Sequence, residues 1–244
     1  MDTLMNSAAQ LKLYGLQKTL DTRLAEALEH GWGHQDFLKT VLVDELHFRR
    51  QKSTEHRIKR AKFRLQASFD HFDYSTKRNL AKSQVEQLKS LQFMEKGHSL
   101  LLLGPTGVGK TFLATALGHE ACIRGHSCQF LGMNLFIEQA QLARATGQFL
   151  KFRDRMISCE LLILDDLGIK PLPASAVQDL YDILEERYQS KATVITSQLP
   201  LSNWKEVIAD EVALEAILDR LIHGQRLEIK GDSYRKLRGV DRSK

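Results

Sequence analysis

The run Gly104-Pro105-Thr106-Gly107-Val108-Gly109-Lys110-Thr111 places glycines ahead of a lysine and a hydroxyl, a spacing suited to holding phosphate. Without side-chain bulk, successive backbone N–H groups can turn inward around an anion, and a helix that starts at the lysine aims its N-terminus at the same charge. In that arrangement Lys110 reaches the β- and γ-phosphates of a nucleotide and the Thr111 hydroxyl ligates Mg²⁺. Phe112 opens the helical run that continues through Leu113, Ala116 and Leu117, and completes the expected nucleotide-binding set.

A second group of reactive side chains ends the apolar run Leu161-Leu162-Ile163-Leu164 with Asp165 and Asp166. Asp165 is expected to hold the Mg²⁺ shell, and Asp166 to orient or deprotonate an attacking water. Thr196-Ser197-Gln198 ends another apolar run. Its polar side chains could bridge that water and the γ-phosphate, or make a simple strand-end turn. Arg220 is a cation on a stretch otherwise marked by Leu214, Ile217, Leu218 and Leu221. It either pairs near Asp219 or serves the nucleotide of a neighbouring subunit, a device worth on the order of 10³ to 10⁵ in rate.

These groups need a scaffold that delivers them to one edge. From Ser99 onward short apolar runs alternate with helical stretches, which predicts a parallel sheet flanked by helices. The expected strands are 99–103, 127–131, 161–165, 193–196 and 226–229. Helices are expected at about 110–124, 134–146 and 174–189, with two more after Leu201. The phosphate loop and the acidic strand come side by side only if the strand at 127–131 lies outside them.

Ahead of this core, Leu13, Leu16, Leu20, Leu24 and Leu28 recur every three or four residues, the period of one helical face. Gly31-Trp32-Gly33 breaks that helix, and Phe37, Leu38, Val41, Leu42 and Leu46 mark a second. A third stretch gathers Arg49, Arg50, Lys52, Arg57, Lys59, Arg60, Lys62 and Arg64 against the single acid Glu55. Such a face is either solvated or built for a phosphate backbone. With Lys151, Arg153 and Arg155 it forms the candidate DNA-binding set. Phe69 to Tyr74 has no regular period and reads as a linker, with Ser75 as N-cap of a helix reaching about Leu91. The expected division is a helical N-terminal domain at 1–68 and an ATPase domain at 69–244.

The chain has 244 residues, 43% hydrophobic and 27% charged, with a net charge of +5. That is an ordinary globular composition with a mild cationic excess. Cys122, Cys128 and Cys159 lack paired metal-ligand spacing and an even count, which fits reduced thiols rather than zinc or disulfides. The first residues do not read as a signal peptide, and no apolar run approaches the ~20 residues of a membrane span. A cytoplasmic protein with no membrane partner is expected.

With these motifs in place, the chain resembles the IstB-like ATP-binding proteins, helper ATPases encoded beside an IstA transposase in bacterial insertion sequences. The resemblance rests on the leucine helix and basic stretch, the loop at 104–111, Leu-Leu-Ile-Leu-Asp-Asp-Leu-Gly at 161–168, and Ile-Thr-Ser-Gln-Leu-Pro at 195–200 followed by Trp204. Ile-Leu-Asp-Arg-Leu at 217–221 and Gly-Asp-Ser-Tyr-Arg-Lys at 231–236 complete it. It implies an α/β fold of the AAA+ type, similar to DnaC-type helicase loaders, with a small helical domain in front and no C-terminal lid. It also implies ATP and Mg²⁺ as cofactors, Arg220 as a finger acting in trans, Arg235 as a second sensor, and a first sensor at Ser197 or Gln198. The acidic pair is Asp-Asp where the wider superfamily has Asp-Glu, so Asp166 is one methylene shorter. The implied activity is ATP hydrolysis by rings or spirals assembled on duplex DNA, directing a cognate IstA-type transposase to its target. A replicative helicase loader is the alternative, and a metabolic P-loop kinase fits the basic module and Arg220 less well.

Overall fold

The computed structural model describes residues 2–74, 79–231 and 233; Ser75 and Arg235 lie outside them. Contacts divide the chain into two units, Met1–His56 and Arg57–Lys244. The boundary expected at 68/69 falls inside the second unit, because the residues after His56 already belong to the larger core. Ala61 is fully buried in that core, and the Phe63 ring packs 4.6 Å from His119.

The first unit holds α1 (Asp2–Gln10), α2 (Tyr14–His30) and the beginning of α3 (His34–Ala61). The apolar stretch and most of the basic stretch, described apart in the sequence, form this one α3, since no glycine or proline separates them. Gly31, at φ +62°, ends α2 in the left-handed conformation that glycine adopts without penalty. The buried carboxylate of Glu45 accepts from the Gly15 and Leu16 N–H groups at 2.6 and 3.0 Å, anchoring the start of α2 to α3. Arg23 grips Asp44 through both Nε and Nη2. The leucine stripe is only partly a core: Leu20 and Val41 are buried, whereas Leu28, Leu38, Leu42 and Leu46 are exposed.

The second unit is a five-stranded parallel sheet of β1 (Leu100–Leu103), β2 (Cys128–Gly132), β3 (Leu161–Leu167), β4 (Ala192–Ser197) and β5 (Gln225–Glu228). Their order is β2-β3-β4-β1-β5. All four leucines of β1 are buried, as expected of a strand covered on both faces. Leu100 and Leu102 face α4 (Lys82–Lys89) and α6 (Lys110–Ile123), with α5 (Gln92–Glu95) at the margin. Leu101 and Leu103 face α7 (Met133–Ala145), α8 (Phe149–Ser158), α9 (Ala174–Arg187) and α10 (Glu211–Ile222).

β2 lies outside the phosphate-loop and acidic strands, as the sequence required. Those two strands are nevertheless not side by side, because β4 pairs with both β1 and β3. The insertion matters chemically: it brings the end of β4 between the loop after β1 and the carboxylates of β3. Among the described residues no helix is long and apolar enough to cross a membrane.

Candidate nucleotide site

The loop between β1 and α6 is shaped by glycines at positive φ, which side-chain-bearing residues rarely adopt. Gly104 has φ +142°, and a Cβ there would lie 2.1 Å from the Ile229 carbonyl oxygen. Gly107 has φ +87°, and its Cβ would strike the Ser233 hydroxyl. Val108 is buried and pins the middle of the loop to the core. Gly109 precedes Lys110, the first residue of α6, so the helix N-terminus opens onto the loop. The Lys110 ammonium lies within it, donating to the carbonyls of Gly104 at 2.7 Å and Pro105 at 2.9 Å. Thr106, Gly107, Lys110, Thr111 and Phe112 line a cavity of about 310 Å³ together with Arg64, Asp166 and Gln198.

Asp165 and Asp166 sit where β3 is irregular in its pairing with β4. A bulge bends a strand and re-aims its side chains, and Asp166 takes φ +62°, unusual for a residue with a side chain. The Thr196 hydroxyl holds this geometry. It donates to Asp165 Oδ1 at 2.6 Å and accepts from the Asp166 N–H at 2.9 Å. The Thr111 hydroxyl donates to the same carboxylate at 3.0 and 3.1 Å.

Asp165 is fully buried, and burial pushes its carboxyl up from the ordinary aspartate range. The neighbouring Asp166 charge adds to the rise, while the hydrogen bonds from Thr196 and Thr111 oppose it. A buried carboxylate beside a second one retains a demand for positive charge. Hard oxygen donors at Asp165 and Thr111 suit Mg²⁺, and the glycine cradle with Lys110 suits a nucleotide's phosphates.

The expected alternatives at the end of β4 separate by strand alternation. Ser197 is buried with its hydroxyl donating to the Leu167 carbonyl and accepting from the Leu199 N–H. Gln198 lines the cavity and accepts a hydrogen bond from Thr106. Thr196, named from sequence with Ser197 and Gln198 but not carried forward as a sensor, is fully buried with its hydroxyl on Asp165. Arg220 does not line the cavity. Its own helix and α9 supply partners, with Nε 2.6 Å from Glu185, Nη1 3.1 Å from Asp219, and the guanidinium over Tyr181. It is therefore not an unpartnered cation.

The candidate DNA-binding residues scatter into different environments. In the first unit, Arg49 pairs with Glu45 and Arg50 is exposed. In the second, Arg57 donates to the Cys122 carbonyl, and the Arg153 Nε is buried. Lys59 and Arg60 are exposed on α3. Lys62, Lys151 and Arg155 meet at the rim of one open cleft of about 410 Å³. Arg64 departs furthest from expectation: it lies at the nucleotide cavity, 3.5 Å from Asp166.

A family model for IstB-like ATP binding proteins matches residues 6–241. The insertion sequence ATP-binding protein y4pL of Sinorhizobium fredii is 35% identical over 225 residues, 92% of each chain. The insertion sequence ATP-binding protein Rv3427c of Mycobacterium tuberculosis is 33% identical over 95% of this chain and 93% of the relative. Among solved structures, DnaI superposes with a TM-score of 0.58 at 20% identity, covering 68% of this chain and 92% of that one. The DnaC helicase loader gives 0.52 at 24% identity, covering 61% and 87%. The family match spans nearly the whole chain, and the chain belongs to the IstB-like ATP-binding proteins, on a fold like that of the DnaC helicase loader.

Proposed function

We propose that this protein is an ATP hydrolase that assembles on duplex DNA in an ATP-dependent manner and helps an IstA-type transposase capture its target. The observation that carries the enzymatic part is the convergence of Lys110, Thr111, Asp166 and Gln198 on one cavity, with Asp165 buried against Thr111. When bound, ATP with Mg²⁺ supplies a transferable terminal phosphoryl group and a cation that neutralises its developing charge. The loop N–H groups and Lys110 bind the phosphates, and Thr111 and Asp165 hold the metal. Asp166, fixed by its N–H on Thr196, orients the attacking water and takes its proton. Gln198 is the first sensor. Arg235, outside the described residues, keeps the second-sensor role that the family resemblance implies.

Arg220 acts in trans. Its partners are solvent-accessible, and such pairs are weak enough to exchange for a phosphate on a neighbouring copy. DNA contact is assigned to the exposed cations Arg50, Lys59, Arg60, Lys62, Lys151 and Arg155, the last two with Lys62 around one cleft. The likeness to loader structures keeps a helicase partner as the second reading.

A salt titration of duplex binding tests the proposal. Each phosphate neutralised contributes about 0.9 to the slope of log affinity against log salt, so Lys151→Ala with Arg155→Ala should flatten it by about 1.8. ATP should tighten wild-type binding, because assembled copies act as a tethered set. Arg220→Ala should bind ATP normally and lose that gain. Absence of duplex binding with and without ATP would move the assignment to the helicase-loader reading.

A further inference from the structure

Arg64 stands out because the basic stretch to which it belongs by sequence does not describe its position. α3 ends at Ala61, and Lys62 then turns the chain with φ +57°. On either side of Arg64 the chain is anchored. The Phe63 ring packs on His119 and lies 6.1 Å from Phe130, so close to α6 that a Cβ at Gly118 would come within 2.5 Å of it. Leu65 packs on the same core and lines the nucleotide cavity. With both neighbours fixed, the Arg64 side chain is carried to the cavity wall, where Nη1 stands 3.5 Å from Asp166 Oδ2.

We infer that Arg64 is a nucleotide-binding residue acting within its own subunit, exchanging Asp166 for the terminal phosphate of ATP and so distinguishing ATP from ADP. The inference rests on the nucleotide reading of the cavity. The Arg64–Asp166 contact is long and the arginine side chain is 68% exposed, so the pair is easily given up. A terminal phosphate presents more charge than a carboxylate and matches the planar fork of a guanidinium. Asp166 is then released to orient water only when a triphosphate is present.

Equilibrium binding of ADP and of a non-hydrolysable ATP analogue, each with Mg²⁺, tests the inference in wild type, Arg64→Ala and Lys110→Ala. Arg64→Ala should weaken the ATP analogue by about 10- to 100-fold, the worth of hydrogen bonds to a charged group, and leave ADP unchanged. Arg64→Lys should recover only part of the loss. Equal affinities of wild type and Arg64→Ala for both nucleotides overturn the inference while leaving the site intact. If that result came with a duplex-binding salt slope lowered by about 0.9, Arg64 would return to the DNA contacts. A wild-type protein that binds neither nucleotide, or a Lys110→Ala variant that binds both normally, would instead sink the reading of the cavity itself.

Discussion

The two ends of the parallel sheet bury charged groups in opposite ways. At the N-terminal ends of β3 and β4, Arg187 is 1% exposed, and carbonyl oxygens surround its guanidinium. It donates to Met156 at 2.8 Å and Cys159 at 2.6 Å, to Ala192, and to the Thr193 hydroxyl at 3.0 Å. At the C-terminal ends of the same strands, Asp165 is equally buried but, among the described residues, receives two hydroxyl donors and faces a second carboxylate. A buried charge whose partners are complete locks elements together; one whose partners are incomplete is poised for a ligand. The arginine ties the end of α8, the end of α9 and the start of β4. The aspartate ties β3 to the Thr111 and Thr196 hydroxyls.

The largest effect should come from opening the closed end. Arg187→Met keeps an unbranched apolar stem and deletes the donors, leaving the carbonyls of Met156, Cys159 and Ala192 without this partner. Unsatisfied buried acceptors cost about 1–3 kcal/mol each, so a loss of about 3 kcal/mol or more in unfolding free energy is expected. Denaturant titration measures it, and nucleotide affinity of the folded fraction should stay at the wild-type level. Wild-type stability in this variant would show that the carbonyl cage is not a lock.

The next effect lies at the open end. Asp166→Asn keeps the side chain's size and an oxygen for Arg64 while removing the base, so hydrolysis should slow by about 10²-fold or more with ATP still bound. Single-turnover hydrolysis beside equilibrium binding separates the two. Turnover at the wild-type rate would strip Asp166 of its assigned role and turn attention to Gln198.

How far the sequence reached follows the same division. β1 and β3 were legible because a strand covered on both faces must be apolar at every position, as Leu100–Leu103 and Leu161–Leu164 are. The phosphate loop was legible because its glycines answer to local backbone geometry. Features that depend on non-local placement were not. The insertion of β4 between β1 and β3 is set by sheet pairing, and with it the bridge that Thr196 makes between the Asp165 carboxylate and the Asp166 N–H. Helix α8 escaped notice because its buried Phe152 and Met156 are spaced among Lys151, Arg153, Asp154 and Arg155, so the segment read as charge. Arg64 was grouped with its cationic neighbours because the turn at Lys62, which sends it to the cavity, leaves no mark in the composition.

The smallest effect should sharpen the comparison most. If Asp165 is buried with incomplete partners, its ionised form costs stability until a cation arrives. Its folded carboxyl lies above the ordinary aspartate value, so the folded state holds that proton more tightly than the unfolded chain. Stability from this group is then complete below the unfolded value and lost as pH rises through the folded one. Asp165→Asn has no such loss. Relative to wild type it should gain stability across that window and remain about 1 kcal/mol more stable at neutral pH, the usual gain from relieving a strained functional group. Mg²⁺ with nucleotide should reverse the order, because a ligand stabilises only the protein that binds it, and the variant lacks the metal's carboxylate. Thermal unfolding of both proteins between about pH 4 and 8, with and without Mg²⁺ and nucleotide, covers the aspartate range on either side. A variant less stable than wild type at every pH would mean that Thr111 and Thr196 already complete the partners of Asp165, and the two ends of the sheet would then differ in chemistry but not in strain.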